Sequence, residues 1–157
     1  DVPLEMMEEL LFIFGAESHS TMANLLLQTD LPEGLKNIAT LNRYVGDLSD
    51  HHVLRKNGEP YLFFTCGRWE HYHQESDKPE NLNYAKMERI SLYLAALIKA
   101  LDELVFEDDG FNQDPVEVEL QLLKRAIGPY LEHMHIKMEN RDDIQNFVLD
   151  WVRNYHL

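Results

Sequence analysis

The chain has 157 residues, enough for one domain of ordinary size, and is 45% hydrophobic and 27% charged. That composition excludes a disordered chain, and no apolar run reaches the roughly 18 residues of a membrane-spanning helix. The net charge of -14, with 28 acidic against 14 basic residues, argues against a nucleic-acid partner, whose phosphates are held by Lys and Arg.

The first apolar run is Leu10-Leu11-Phe12-Ile13-Phe14, closed by Gly15. It is short, aromatic-rich and continuous, as a strand buried on both faces should be. Ser18 and Ser20 offer N-caps for a short helix through Met22, Leu25, Leu26 and Leu27. Leu31 to Gly34 reads as a turn and Leu41 to Val45 as a short edge strand. Ser49-Asp50 precedes a helix of a turn or two that stops near Asn57-Gly58. Pro60 opens a second strand, Tyr61 to Cys66, closed by Gly67. A polar, His-rich loop runs from Arg68 to Asn83. Met87, Ile90, Leu94, Leu97, Ile98, Leu101 and Leu104 then recur at the spacing of one helical face.

Strand, helix, strand, helix is the order of an α/β layer fold. The expected organisation is an α/β unit over residues 1–106 and a helical extension over 107–157. Glu107 to Gly110 reads as a loop between them. Asp114-Pro115 starts a helix, with Pro at the first helical position, that Gly128-Pro129 should break or kink. A last helix begins near Asp142, with Ile144, Phe147, Val148, Trp151, Val152 and Tyr155 as its apolar stripe. The extension carries no chemical motif and reads as a cover for a sheet or a neighbouring subunit.

Four of the eight histidines flank the second strand: His51 and His52 before it, His71 and His73 after it. Ligands collect at the carboxyl ends of strands in α/β sheets, so a site is expected in the loop after Cys66. That loop carries Trp69, Glu70, His71, Tyr72, His73, Glu75 and Asp77, and imidazole with carboxylate suits zinc. A single cysteine excludes a disulfide framework and the thiolate set of a structural zinc site. Cys66 itself reads either as a nucleophile near histidines or, more simply, as a small buried hydrophobe. Neither a serine nucleophile elbow nor a glycine-rich phosphate loop is present.

The run Ser49-Asp50-His51, a helix, Gly58-Glu59-Pro60, the strand at Tyr61, Gly67, and then Tyr72-His73 with Asp77, Glu80 and Leu82 leading into a long helix resembles one family closely. It is similar to the C-terminal part of the co-catalytic two-zinc aminopeptidases, which include glutamate carboxypeptidases and are related to glutaminyl cyclase. The resemblance covers residues 49–105, and more loosely Leu10 to Leu27. It implies a three-layer, zinc-exopeptidase-like mixed sheet with flanking helices, present here in part. It places the last zinc ligand on His73, a loop-stabilising role on Asp77 and a supporting acid near the metals on Asp50. Trp69, His71 and Tyr72 would line the substrate rim, with simple packing as the alternative for Trp69 and His71. Peptide is the implied substrate, two zinc ions the implied cofactor, and secretion or periplasmic export the implied location.

The remaining ligands of that family are a His-x-Asp pair, a Glu-Glu pair and a further Asp. The chain holds no His-x-Asp, and Glu8-Glu9, its Glu-Glu pair, lies too close to His73 by family order. Asp1 is the candidate for the remaining Asp. The expectation is therefore a C-terminal portion of a zinc peptidase, inactive alone, that self-associates through an exposed sheet edge or its C-terminal helices. The alternatives are a metal-free binding or assembly domain on the same scaffold and a glutaminyl-cyclase-like acyl transferase. Tyr-His rather than Trp-His at the ligand position favours the peptidase over the cyclase.

Overall fold

A computed structural model describes residues 8–47, 49–67, 70–106 and 114–155. The chain is a mixed α/β structure around a small sheet in the order β2-β1-β3. Strand β1 (Leu10–Phe14) runs into helix α1 (Ser20–Gln28), strand β2 (Lys36–Thr40), helix α2 (His51–Lys56) and strand β3 (Phe63–Thr65). Helices α3 (Tyr84–Leu101), α4 (Val116–His133) and α5 (Arg141–Tyr155) complete it. β1 and β2 are parallel, pairing Leu10 with Lys36 through to Phe14 with Thr40. β3 is antiparallel to β1, with Phe12 opposite Thr65 and Phe14 opposite Phe63.

Every residue of β1 is buried, because successive side chains enter different cores. Leu10, Phe12 and Phe14 join Ile38 in a cluster with Leu123, Ile127, Leu131, Ile144, Phe147 and Val148 of α4 and α5. Leu11 and Ile13 join Ala39 in a second cluster with Leu25 and Leu26 of α1, Tyr93 and Leu97 of α3, and Leu122 of α4. A buried polar chain ties the second cluster together. The Asn37 amide donates to the Tyr93 hydroxyl at 2.8 Å and accepts from the Arg125 guanidinium at 2.9 Å.

Several elements differ from the sequence reading. The second strand in chain order is Lys36–Thr40, and Asn42–Tyr44 within the expected strand is a 3-10 turn. Lys-Asn-Ile-Ala-Thr shows neither an alternating nor a continuous apolar pattern, because Asn37 and Thr40 are buried polar groups with partners. β3 is shorter than its apolar run, and Cys66 beyond it is exposed rather than a buried hydrophobe. His19, not a serine, caps α1: its Nδ1 accepts the Thr21 N–H at 3.1 Å. On α3 the buried face centres on Lys86, Tyr93 and Leu97, while Met87 and Ile98 of the expected stripe are exposed. Pro115 stands just before α4 rather than inside it, while the kink expected at Gly128-Pro129 is present, with Ile127 out of helical geometry. Trp151, Val152 and Tyr155 lie outside the described side chains.

Candidate functional site

The carboxyl ends of two parallel strands are where a ligand is expected in such a sheet, and a cavity of about 590 Å³ lies there. Gly15 ends β1 in a left-handed conformation at φ +94° that leads straight into the turn carrying Glu17 and Ser18. β2 ends at Thr40, and the next turn supplies Asn42 and Arg43. Asp47, Arg55 of α2 and the segment from Gly58 to Tyr61 close the rest of the wall. The volume falls within the roughly 300–1,000 Å³ of small-molecule sites.

Two interactions staple these segments. The Ser18 hydroxyl donates to the Tyr61 carbonyl and accepts the Tyr61 N–H, both at 3.0 Å. Glu17 Oε1 accepts the Asn42 N–H at 2.7 Å. The Asn42 amide donates to Asp47 at 3.1 Å, and Asp47 is bracketed by the Arg55 guanidinium, whose Nε donates to it at 2.8 Å. That hydrogen-bonded guanidinium holds the Asp47 carboxyl below its ordinary value. Burial does the opposite to Glu17, pushing its carboxyl up against the pull of backbone N–H groups and Arg141. Tyr61 is likewise pushed up to about 12 by burial.

Four buried polar atoms here have no hydrogen-bond partner among the described residues: Glu17 Oε2, Asn42 Oδ1 and both ring nitrogens of His51. His51 is buried, its ring stacked 4.5 Å from Phe63 and 5.7 Å from Tyr61. Buried polar groups are nearly always paired, and two of these atoms, Glu17 Oε2 and Asn42 Oδ1, belong to residues that line the cavity, which makes it the candidate site. A carboxyl raised by burial holds its proton to higher pH than a free one and is a candidate proton carrier.

The residues expected from sequence are distributed differently. Asp50 is exposed at the start of α2, with no side-chain capping bond. His71 has Nδ1 within 2.9 Å of Ser76 Oγ and Nε2 3.6 Å from a Glu70 carboxylate oxygen. Tyr72 is exposed, and its ring stacks on exposed His73 at 3.9 Å. His73 takes a left-handed φ of 57°, a conformation that non-glycine residues adopt chiefly in tight turns. Asp1 and Trp69 lie outside the described residues. Glu8-Glu9 is a solvated lead-in to β1, where Glu9 pairs with Lys36 at 2.8 Å. Because β3 is antiparallel, Cys66 and Gly67 leave the sheet at the end where β1 begins. The strand-end rule therefore points to Gly15 and Leu41, and applying it there would have found Glu17 and Asn42.

Zinc sites take three or four protein ligands, usually His, Cys, Asp or Glu. Among the described residues no three such side chains gather as a metal-holding group. At the cavity Ser18 is spent on Tyr61, Asn42 is an amide, Asp47 is held by Arg55, and two guanidinium groups line the wall. This donor set does not by itself fit a zinc ion.

A sequence model described as Peptidase family M28 matches residues 4–98. No curated protein and no solved structure gives a significant match.

Proposed function

The chain belongs to peptidase family M28, the generally zinc-dependent family of aminopeptidases and related carboxypeptidases, and from that premise we propose that its cavity takes the amino-terminal end of a peptide for an aminopeptidase. Glu17 is the observation that carries this reading: a carboxyl buried at the end of β1, raised by burial, with one oxygen unpaired. It is assigned the role of proton carrier, and a peptide ammonium would supply the donors that Glu17 and Asn42 lack once the wall opens to admit it. His73 is proposed as the zinc ligand that this chain contributes, Asp1 as a second, Asp50 as a supporting acid, and Trp69, His71 and Tyr72 as the substrate rim. The sheet with helices against alternate faces of β1 is taken as part of the family's three-layer core. With no metal-holding group among the described residues, the isolated 157-residue chain is expected to be inactive.

The test uses the full-length natural protein with aminoacyl-4-nitroanilides, zinc titration and a chelator. Chelator-sensitive release that Glu17→Gln abolishes, together with zinc affinity weakened by His73→Ala, supports the reading. Unchanged zinc affinity in His73→Ala removes that ligand assignment.

The neutral Ser18 and Asn42 and the two guanidinium groups in the wall favour a second reading, a metal-free peptide-binding or assembly domain on the same scaffold. Under that reading calorimetry detects dipeptide binding that neither zinc nor chelator alters.

A further inference from the structure

The helices beyond residue 106 carry no chemical motif, and the family match stops at residue 98, yet they hold residues on either side of the cavity wall at Asn42 and Arg43. Thr40, the last residue of β2, donates from its hydroxyl to Glu119 Oε1 of α4 at 2.6 Å. Arg141, at the start of α5, donates to the other oxygen of Glu119 and to Asp114, where its Nε lies 3.2 Å from Oδ2. Tyr44 packs with Leu41, Ile144, Phe147 and Val148 in one cluster. The two residues that bracket Asn42 and Arg43, namely Leu41 and Tyr44, are thus fixed by the extension. Asn42 is the residue whose N–H holds Glu17.

We propose that Arg141 is a positioning residue of the cavity: through Glu119 and Thr40 it clamps the turn after β2, and with it the bond between Asn42 and Glu17. The extension is then a working part of the site. Glu119 is only 2% exposed, and a buried acid tied to one guanidinium transmits its position because breaking either partner leaves an uncompensated charge. Arg141 also attracts the Glu17 carboxylate across the cluster and draws its pKa down, while the Glu17 charge pushes Glu119 up. The other titratable groups coupled to Glu17 are Arg55 of α2 and Tyr61 before β3.

The inference rests on reading the cavity as the site, but its test needs no peptide, so its failure and that of the peptide reading are told apart. The full chain is labelled with ¹³C at the glutamate carboxyls. The Glu17 midpoint is then followed by NMR in the wild type, Arg141→Gln, Arg141→Lys and Glu119→Gln. Arg141→Gln is expected to move the midpoint up and speed exchange of the Asn42 amide about tenfold. Glu119→Gln, which breaks the link from Arg141 to Thr40, is expected to speed the Asn42 amide likewise, and Arg141→Lys to restore the midpoint by keeping the charge. Loss of charge alone moves the midpoint without touching Asn42 exchange, and general destabilisation speeds the Phe12 and Ile13 amides of β1 as much. Should Arg141→Gln not fold, Glu119→Gln alone decides: exchange faster at Asn42 than at those amides supports the inference. Asn42 exchange at the wild-type rate, or no faster than theirs, overturns it.

Discussion

Replacing Gly15 with alanine tests the junction between β1 and the cavity. At φ +94° the new side chain meets the left-handed penalty, about 1–2 kcal/mol. Its Cβ would also stand 2.4 Å from Tyr61 Cε2 and 2.7 Å from the Tyr61 carbonyl oxygen. The ring is buried and the carbonyl already accepts the Ser18 hydroxyl, so neither yields freely. Forcing a methyl into such a place costs about 1–3 kcal/mol more, for a total of about 2–5 kcal/mol. Gly58→Ala is the internal control: its φ is +71°, but nothing lies within 4 Å of the added carbon. It should lose only the conformational part, about 1–2 kcal/mol. Urea unfolding of both variants separates the contributions, since each kcal/mol moves the midpoint by about 0.3–1 M for ordinary slopes. Equal losses in the two variants would refute the close approach of Gly15 to Tyr61.

Further outcomes follow from the buried polar groups. Glu17 is raised from its ordinary 4.5 by burial, so above pH 4.5 the folded state keeps a proton that the unfolded chain has lost. Stability therefore falls as pH rises from there through the folded value. Glu17→Gln should flatten this slope in denaturation curves taken across that window, and a slope identical to wild type would count against the burial of Glu17. Tyr93→Phe strands the Asn37 amide donor and should cost about 1–3 kcal/mol by chemical denaturation; a neutral result means that Asn37 finds another partner. Tyr84, Leu92 and Ile98 expose apolar side chains on α3, so concentration-dependent association is expected by light scattering, and a monodisperse monomer rules it out.

Where the chain wrote its fold in runs of apolar residues, it could be read directly. Leu10 to Phe14 and the long helices α3 to α5 are visible because burial on both faces of a strand, or one face of a helix, leaves a periodic record. β2 escaped because its buried Asn37 and Thr40 look polar until Tyr93, Arg125 and Glu119 are known to meet them. The rotation of α3 followed from the same blindness: buried Lys86 and Tyr93 do not register as core. The histidines around Tyr61 to Cys66 stand out in sequence as reactive side chains, but the direction of β3 decides which end of the sheet they join, and direction is a tertiary property. Glu17 and Asn42 are legible only as the residues just past two strand ends, and the second of those strands has no apolar signature.

The placement of β1 also bears on synthesis of the chain. Leu10, Phe12 and Phe14 need Leu123, Ile127 and Ile144 to cover one of their faces, so β1 waits for α4 and α5 to emerge. At roughly 5–20 residues per second on the ribosome, that apolar pentapeptide stands uncovered for several seconds, open to chaperones or to a neighbouring nascent chain. For the same reason, cutting the chain at the family match, residues 4–98, would strip one wall from the core. An expression fragment with those limits should be insoluble, whereas one extended through α5 has what β1 requires.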